Sequence, residues 1–288
     1  AYVEVSSETD YPLRLVPAAA ALTMSVDEGP QRVAQLKEHN NSKLFFGICN
    51  IMTDGSIQGF TGLLKWPGYF NGKPNGIWNL PPETLIRMVD AYHSAGIQMH
   101  MQTYGDEASE LMIDAIEKAT HKTPRPDHRH TLTHCQMADQ AQFRRMANLG
   151  ICSNLFANHI YNWGDQHYSL TMGPDRATRM DACATAKRTG VPYTIHSDAP
   201  VTPLDPLFTA WCAVNRLTVS GQVLGPNERI PVDDALQAIT LGAAYTLHLA
   251  HLVGLKIKHI PKINFGSKNE HREYLKKICL GILPILTS

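Results

Sequence analysis

The sequence has no C-x-x-C pair and no regular cysteine spacing, its six cysteines (Cys49, Cys135, Cys152, Cys183, Cys212 and Cys279) being scattered over 288 residues. That excludes a zinc ribbon and a disulfide framework and points to a reducing, cytoplasmic compartment. Net charge is also lacking. Lys and Arg number 26 and Asp and Glu 26, so the totals give no footprint for nucleic acid or another polyanion. The apolar runs all fall short of the roughly 18 to 20 residues that span a bilayer, and no basic-then-apolar leader opens the chain, which argues against a membrane role. Missing too are G-x-G-x-x-G, a Walker segment and G-x-S-x-G, hence the signatures of dinucleotide binding, phosphate cradling and an exposed serine nucleophile.

What is present is a chain with 43% hydrophobic residues, enough for a sizeable buried core and suited to a small-molecule role. It enters directly on "AYVEVSSETDYPLRLVPAA" from Ala1, which leads us to expect further chain ahead of it. Charge is uneven: residues 251–288 carry seven Lys or Arg and two Asp or Glu, leaving nineteen against twenty-four before them. A mildly acidic body over residues 1–248 is therefore followed by an atypical basic tail over 249–288.

Between Phe45 and Thr246 short β-branched or apolar runs alternate with helix-period segments, the mark of βα units around a parallel sheet. Strands are expected in "YPLRLVPAA", "KLFFGICNIMTDG", "IQMHMQ", "RHTLTHC", "ICSNLF" and "VPYTIHSD". Helices are expected in "DEGPQRVAQLKEHN", in "PPETLIRMVDAYHSAG" with its N-terminal prolines and closing glycine, over Gly105 to Ala119, and in "MADQAQFRRMANLG" and "DRATRMDACATAKRTG". "NLFANHIYNWGDQH" reads as a strand end followed by a loop. Either an open doubly wound sheet or a closed (β/α)8 barrel fits such units. The barrel is favoured because Asp54, His100 with Gln102, His134 and Asp198 all fall at or near the C-terminal ends of different strands, where barrels assemble their chemistry.

A carboxylate delivered by an apolar strand is costly to bury unless it is paired, hydrogen-bonded or metal-bound. Asp198 and His134 on one rim therefore suggest metal-assisted hydrolysis, in which a divalent ion lowers the pKa of water from 15.7 to about 7 and the carboxylate acts as base. His159 follows the next strand and either orients substrate, with Trp163 and Tyr161 as walls, or packs over the rim. His196, Ser197 and Asp198 do not form a serine triad, because adjacent strand residues face opposite ways.

The segments "TDGSIQGFTG", "WPGYFNGKPNGIW", "QMHMQTYGDEA", "DHRHTLTHCQ", "NLFANHIYNWGDQH", "HSDAPVTPLDPLFTAWCAVNRLT" and "ALQAITLGAAYTL" resemble, in order and spacing, the amidohydrolase superfamily. The branch is amidohydrolase family 3, metal-dependent hydrolases similar to N-substituted formamide deformylase. The resemblance covers about residues 10 to 248. It implies a TIM-type (β/α)8 barrel, here with strands three to eight, and a divalent metal, zinc first and manganese or iron as alternatives. It implies hydrolysis of C–N bonds in small amide-like substrates. His134 matches the sixth-strand histidine ligand, and Asp198 the eighth-strand aspartate, ligand and catalytic base at once. Gln102 stands where the fifth-strand histidine is usual, with His100 a possible displaced substitute, and Asn50 stands where the fourth-strand lysine is usual. The first-strand His-x-His is absent. His159, Trp163 and Asp54 fall at substrate-binding positions. The alternative to a working hydrolase is an inert fragment, or a metal-free binding protein on the same barrel. Oligomeric state is left open.

Overall fold

In the computed structural model, which describes residues 1–252, six parallel strands form one sheet in the order β1-β2-β3-β4-β5-β6. The strands are Ala18–Ala20 (β1), Ile48–Met52 (β2), Gln98–Thr103 (β3), Thr131–His134 (β4), Cys152–Leu155 (β5) and Tyr193–Ile195 (β6). Each strand pairs only with its sequence neighbours, so β1 and β6 are the two edges among the described residues and the barrel is an incomplete one. The six expected strands are all present. The first is shifted, because Pro12 and Pro17 offer no N–H to a ladder; only Leu15 bridges Leu44 before regular pairing begins at Ala18.

Alternation divides the strands into two chemistries. One face carries Cys49, Ile51, Met99, Met101, Leu132, Leu155 and Ile195 into a buried apolar cluster. It packs against the Pro82–Ser94 helix through Leu85, Met88 and Val89, the Asp106–Lys122 helix through Met112 and Ile116, and the Gln140–Leu149 helix through Phe143 and Met146. The other face is polar: Asn50 lies opposite His100, and Gln102, Thr133 and Asn154 stand in one row across three strands. Helix boundaries follow local chemistry. Asp139 and Gln142 make a reciprocal capping box at the start of the Gln140–Leu149 helix, and Gly150 closes it at φ 70°.

Two expectations are corrected. "DRATRMDACATAKRTG" is not one helix: short helices over Gly173–Ala177 and Cys183–Thr189 are separated by Asp181, whose φ of 47° cannot continue a right-handed helix. The loop expected after β5 is instead the His159–Gln166 helix, running on as a π turn over His167–Thr171. Its Ile160 and Trp163 join a second apolar cluster with Ile57, Leu64, Tyr69, Tyr104 and Phe156. The five described cysteines are buried, and none of them is in a disulfide. No helix among the described residues is long and apolar enough to cross a membrane. The basic tail lies outside the described residues from position 253 onward.

Asp54, just past β2, ties the rim together. Its Oδ1 accepts from the Tyr104 N–H and its Oδ2 from the Leu63 and Gly105 N–H groups, each at 2.9 Å. Its carbonyl accepts from the Gln102 and Asn79 amides at 2.7 and 2.9 Å. Burial pushes the carboxyl up to about 7, against the pull of the three N–H donors. Gly105 is required there, since a Cβ would meet the Leu63 carbonyl oxygen at 1.6 Å. At the opposite end of the sheet, three buried histidines have every ring nitrogen paired. His93 Nδ1 meets His130 Nε2 at 2.8 Å, and His93 Nε2 meets the Thr123 carbonyl at 2.7 Å. His130 Nδ1 accepts from the Met99 N–H, while His128 Nδ1 accepts from the His130 N–H and its Nε2 donates to the Leu149 carbonyl. One consistent set of neutral tautomers satisfies all of these bonds.

Two outcomes are expected. Asp54→Ala leaves three buried N–H groups without their acceptor and destabilises the fold by about 3 kcal/mol or more, measured by urea unfolding. Burial lowers the affinity of His93, His128 and His130 for protons, so between their depressed values and the ordinary one of about 6.5 the unfolded chain binds more protons than the folded one. Their contribution is complete above that ordinary value and is lost as pH falls. The raised carboxyls of Asp54, Asp181 and Asp198 work the other way over the same range, but burial also depresses His100, His134, His159, His167 and His196, so the histidines prevail. The melting temperature therefore declines as pH falls below about 6.5; a level profile down to pH 5 contradicts this.

Candidate metal centre

Three side chains converge at the C-terminal ends of the strands: His134 from β4, and His196 and Asp198 from the segment leaving β6, with one donor atom of each within 4.8 Å of the others. His134 shares the parity of Leu132, which faces the helices, so regular alternation would turn it away from the rim. It does not, because His134 and Cys135 adopt φ of 67° and 48°. These two left-handed residues turn the chain, and the imidazole stacks on Tyr104 with ring centroids 4.0 Å apart. Its Nδ1 lies 3.0 Å from His196 Nε2. Asp198 is left-handed as well, at φ 53°. Each such residue costs on the order of 1–3 kcal/mol, and they gather where the donors meet.

His196 and Asp198 are two residues apart and so share a face. His196 Nδ1 is 2.8 Å from Asn154 Oδ1, and its ring stacks on Phe156 at 5.0 Å. Burial holds His196 down to about 4 and His134 well below the ordinary range, so both imidazoles are neutral at pH 7 with lone pairs to offer. Asp198 is half-buried; burial raises its carboxyl and a hydrogen bond from the Tyr104 hydroxyl opposes that rise. Two imidazole nitrogens and one carboxylate oxygen form a donor set that fits zinc, iron or manganese.

The other expected residues are placed differently. Gln102 directs its amide at the Asp54 carbonyl. His100 stands beside Asn50, one level deeper in the sheet, outside the converging set. Its Nε2 is buried without a partner. Asp54 directs both oxygens at backbone N–H groups and so organises the rim. His159 is fully buried, stacked on Phe156 at 4.7 Å and against Trp163 at 4.5 Å, with Nδ1 engaged by Gln136 and by His167. It forms a layer behind Phe156 and Tyr104. Tyr161 packs against Phe208 and Trp211.

Sequence reading missed His196, Tyr104, Asn154 and Phe156. For the first two a signal existed: His196 is two residues from Asp198, and Tyr104 two from Gln102, the spacing that shares a face. Asn154 and Phe156 gave none, because their roles come from a neighbouring strand.

Comparison with known proteins gives the arrangement its context. Residues 1–257 match the model of a family described as the amidohydrolase family. The amidohydrolase YtcJ of Bacillus subtilis is 30% identical over 223 residues, covering 75% of this chain and 41% of the relative. N-substituted formamide deformylase of Arthrobacter pascens is 29% identical over 153 residues, covering 52% and 28%. A crystal structure of an uncharacterized metal-dependent hydrolase from Pyrococcus furiosus superposes with a TM-score of 0.70 at 20% identity, covering 87% of this chain and 49% of that one. The chain thus spans less than half the length of each of these relatives. With a parallel βα sheet whose strand ends gather histidines and an aspartate at one rim, and a family match over most of its length, the chain belongs to the amidohydrolase family.

Proposed function

We propose that this chain contributes to metal-dependent hydrolysis of a C–N bond in a small non-peptide amide, with zinc as the first candidate ion and manganese or iron as alternatives. The observation that carries the reading is the convergence of His134, His196 and Asp198 within 4.8 Å at the rim of an amidohydrolase-family sheet. These three residues would hold the ion. When bound, such an ion polarises the scissile carbonyl and makes water acidic enough to deprotonate near neutral pH.

The remaining work falls to side chains. Asp198, its carboxyl raised by burial, takes the proton of the attacking water and returns it to the departing nitrogen. Tyr104 donates a hydrogen bond to that carboxylate and stacks on His134, holding both in position. Phe156 forms an apolar wall beside His134 and His196, with His159 and Trp163 behind it, which favours an amide with an apolar or planar substituent. The similarity to N-substituted formamide deformylase makes N-substituted formamides the first substrates to try. The buried cysteines, none in a disulfide among the described residues, support a reducing compartment, the cytoplasm.

A second reading, binding without turnover, is favoured by Asn50 and Gln102, whose amides stand where the resemblance expects lysine and histidine. Elemental analysis of protein purified with added zinc, manganese or iron separates the two: near-stoichiometric metal under the first, essentially none under the second. Under the first, N-substituted formamides are hydrolysed by the metal-loaded chain. Asp198→Asn lowers the rate by about 10²–10⁴-fold, the range for loss of a general acid or base. Hydrolysis that persists unchanged in Asp198→Asn refutes the assigned role.

A further inference from the structure

We propose that Asn154 is a positioning residue that sets the tautomer of His196 and so makes His196 the third ligand of the centre, beside His134 and Asp198. This rests on the metal reading above and extends it to residues that the resemblance did not assign.

The geometry follows from register. Asn154 on β5 lies opposite Thr194 on β6, and His196 is two residues beyond Thr194 on the same face. Strand pairing therefore brings the Asn154 side chain beside the His196 imidazole, with Oδ1 and Nδ1 at 2.8 Å. A neutral imidazole has one N–H, and an amide oxygen only accepts. The proton is thus held on Nδ1, and Nε2 keeps a bare lone pair. That lone pair is 3.0 Å from His134 Nδ1, at the point where the Asp198 carboxylate also arrives.

The ring has little freedom to choose otherwise. Phe156 stacks on it with planes 24° apart, and the His196 N–H donates to the Leu155 carbonyl at 3.0 Å. Metal-binding histidines generally give their second N–H to a fixed acceptor, which orients the ring and raises its basicity. Asn154 supplies that acceptor here. Asn50 and Gln102 stand at the usual lysine and histidine positions, so His196 compensates from the strand end that already delivers Asp198.

The test is Zn²⁺ and Co²⁺ titration of the full chain against a chromophoric chelator, with circular dichroism to confirm the fold of each variant. Asn154→Leu is expected to weaken binding by about 10–100-fold, the usual cost of losing such a partner. His196→Leu weakens it further. Asn154→Asp, which can only accept, matches or exceeds wild-type affinity. Nitrogen-15 spectra of the wild-type histidines add a readout that a purely structural role would not move: His196 keeps its Nδ1 proton as Zn²⁺ is added, while its Nε2 resonance shifts. Wild-type affinity in both Asn154→Leu and His196→Leu, with binding lost in His134→Leu and Asp198→Asn, overturns this inference: it removes His196 from the ligand set and leaves a metal held by His134 and Asp198. An Nε2-protonated His196 in the zinc-loaded chain also overturns it. No zinc or cobalt bound by the wild-type chain overturns the metal reading, and this inference with it.

Discussion

Parallel pairing is the constraint from which the rest of the molecule follows. Because all six strands run the same way, their C-terminal ends share one rim, and residues far apart in sequence become neighbours there. His134 and His196 are 62 positions apart and meet at 3.0 Å. The same pairing fixes which residues stand in rows, so that Gln102, Thr133 and Asn154 line a polar inner face while Met101, Leu132 and Leu155 beside them enter the helix-covered core. Parallel sheets are usually apolar on both faces. A polar inner face marks where this one departs from simple packing.

The fold was largely legible in the sequence because both of its periods are written plainly. Leu85, Met88, Val89 and Tyr92 repeat at helical spacing, and the strand runs between helices are short, apolar and punctuated by glycine. Where the reading failed, a single residue overrode a local pattern. Asp181 interrupts an otherwise helical stretch through its left-handed backbone. The segment after β5 looked like a loop because its aromatic and polar residues do not show the usual apolar stripe, although Ile160 and Trp163 pack well once Tyr69 and Phe156 are beside them.

The site was only half legible. His134 and Asp198 were recognisable from strand ends and from resemblance, yet His134 reaches the rim only through a left-handed backbone that no alternation rule anticipates. His196 was within reach of the sequence, since spacing by two from Asp198 shares a face, but it was considered only as a member of a serine triad. Asn154 and Phe156 could not have been found that way. Their significance is created by register between β5 and β6 and by a stacking contact across the rim.

The knot at Asp54 bears on how such a site can diversify. One carboxylate fixes the Leu63 N–H, in the long segment after β2, and the Tyr104 and Gly105 N–H groups at the exit of β3, and Tyr104 in turn touches His134 and Asp198. The segment over residues 55–80 is therefore not an independent module that can be exchanged to suit a new substrate while the reacting groups stay put. Insertions or replacements there carry through one residue to the rim chemistry, and variation compatible with both must preserve the carboxylate, the glycine and the turn that brings Leu63 to them.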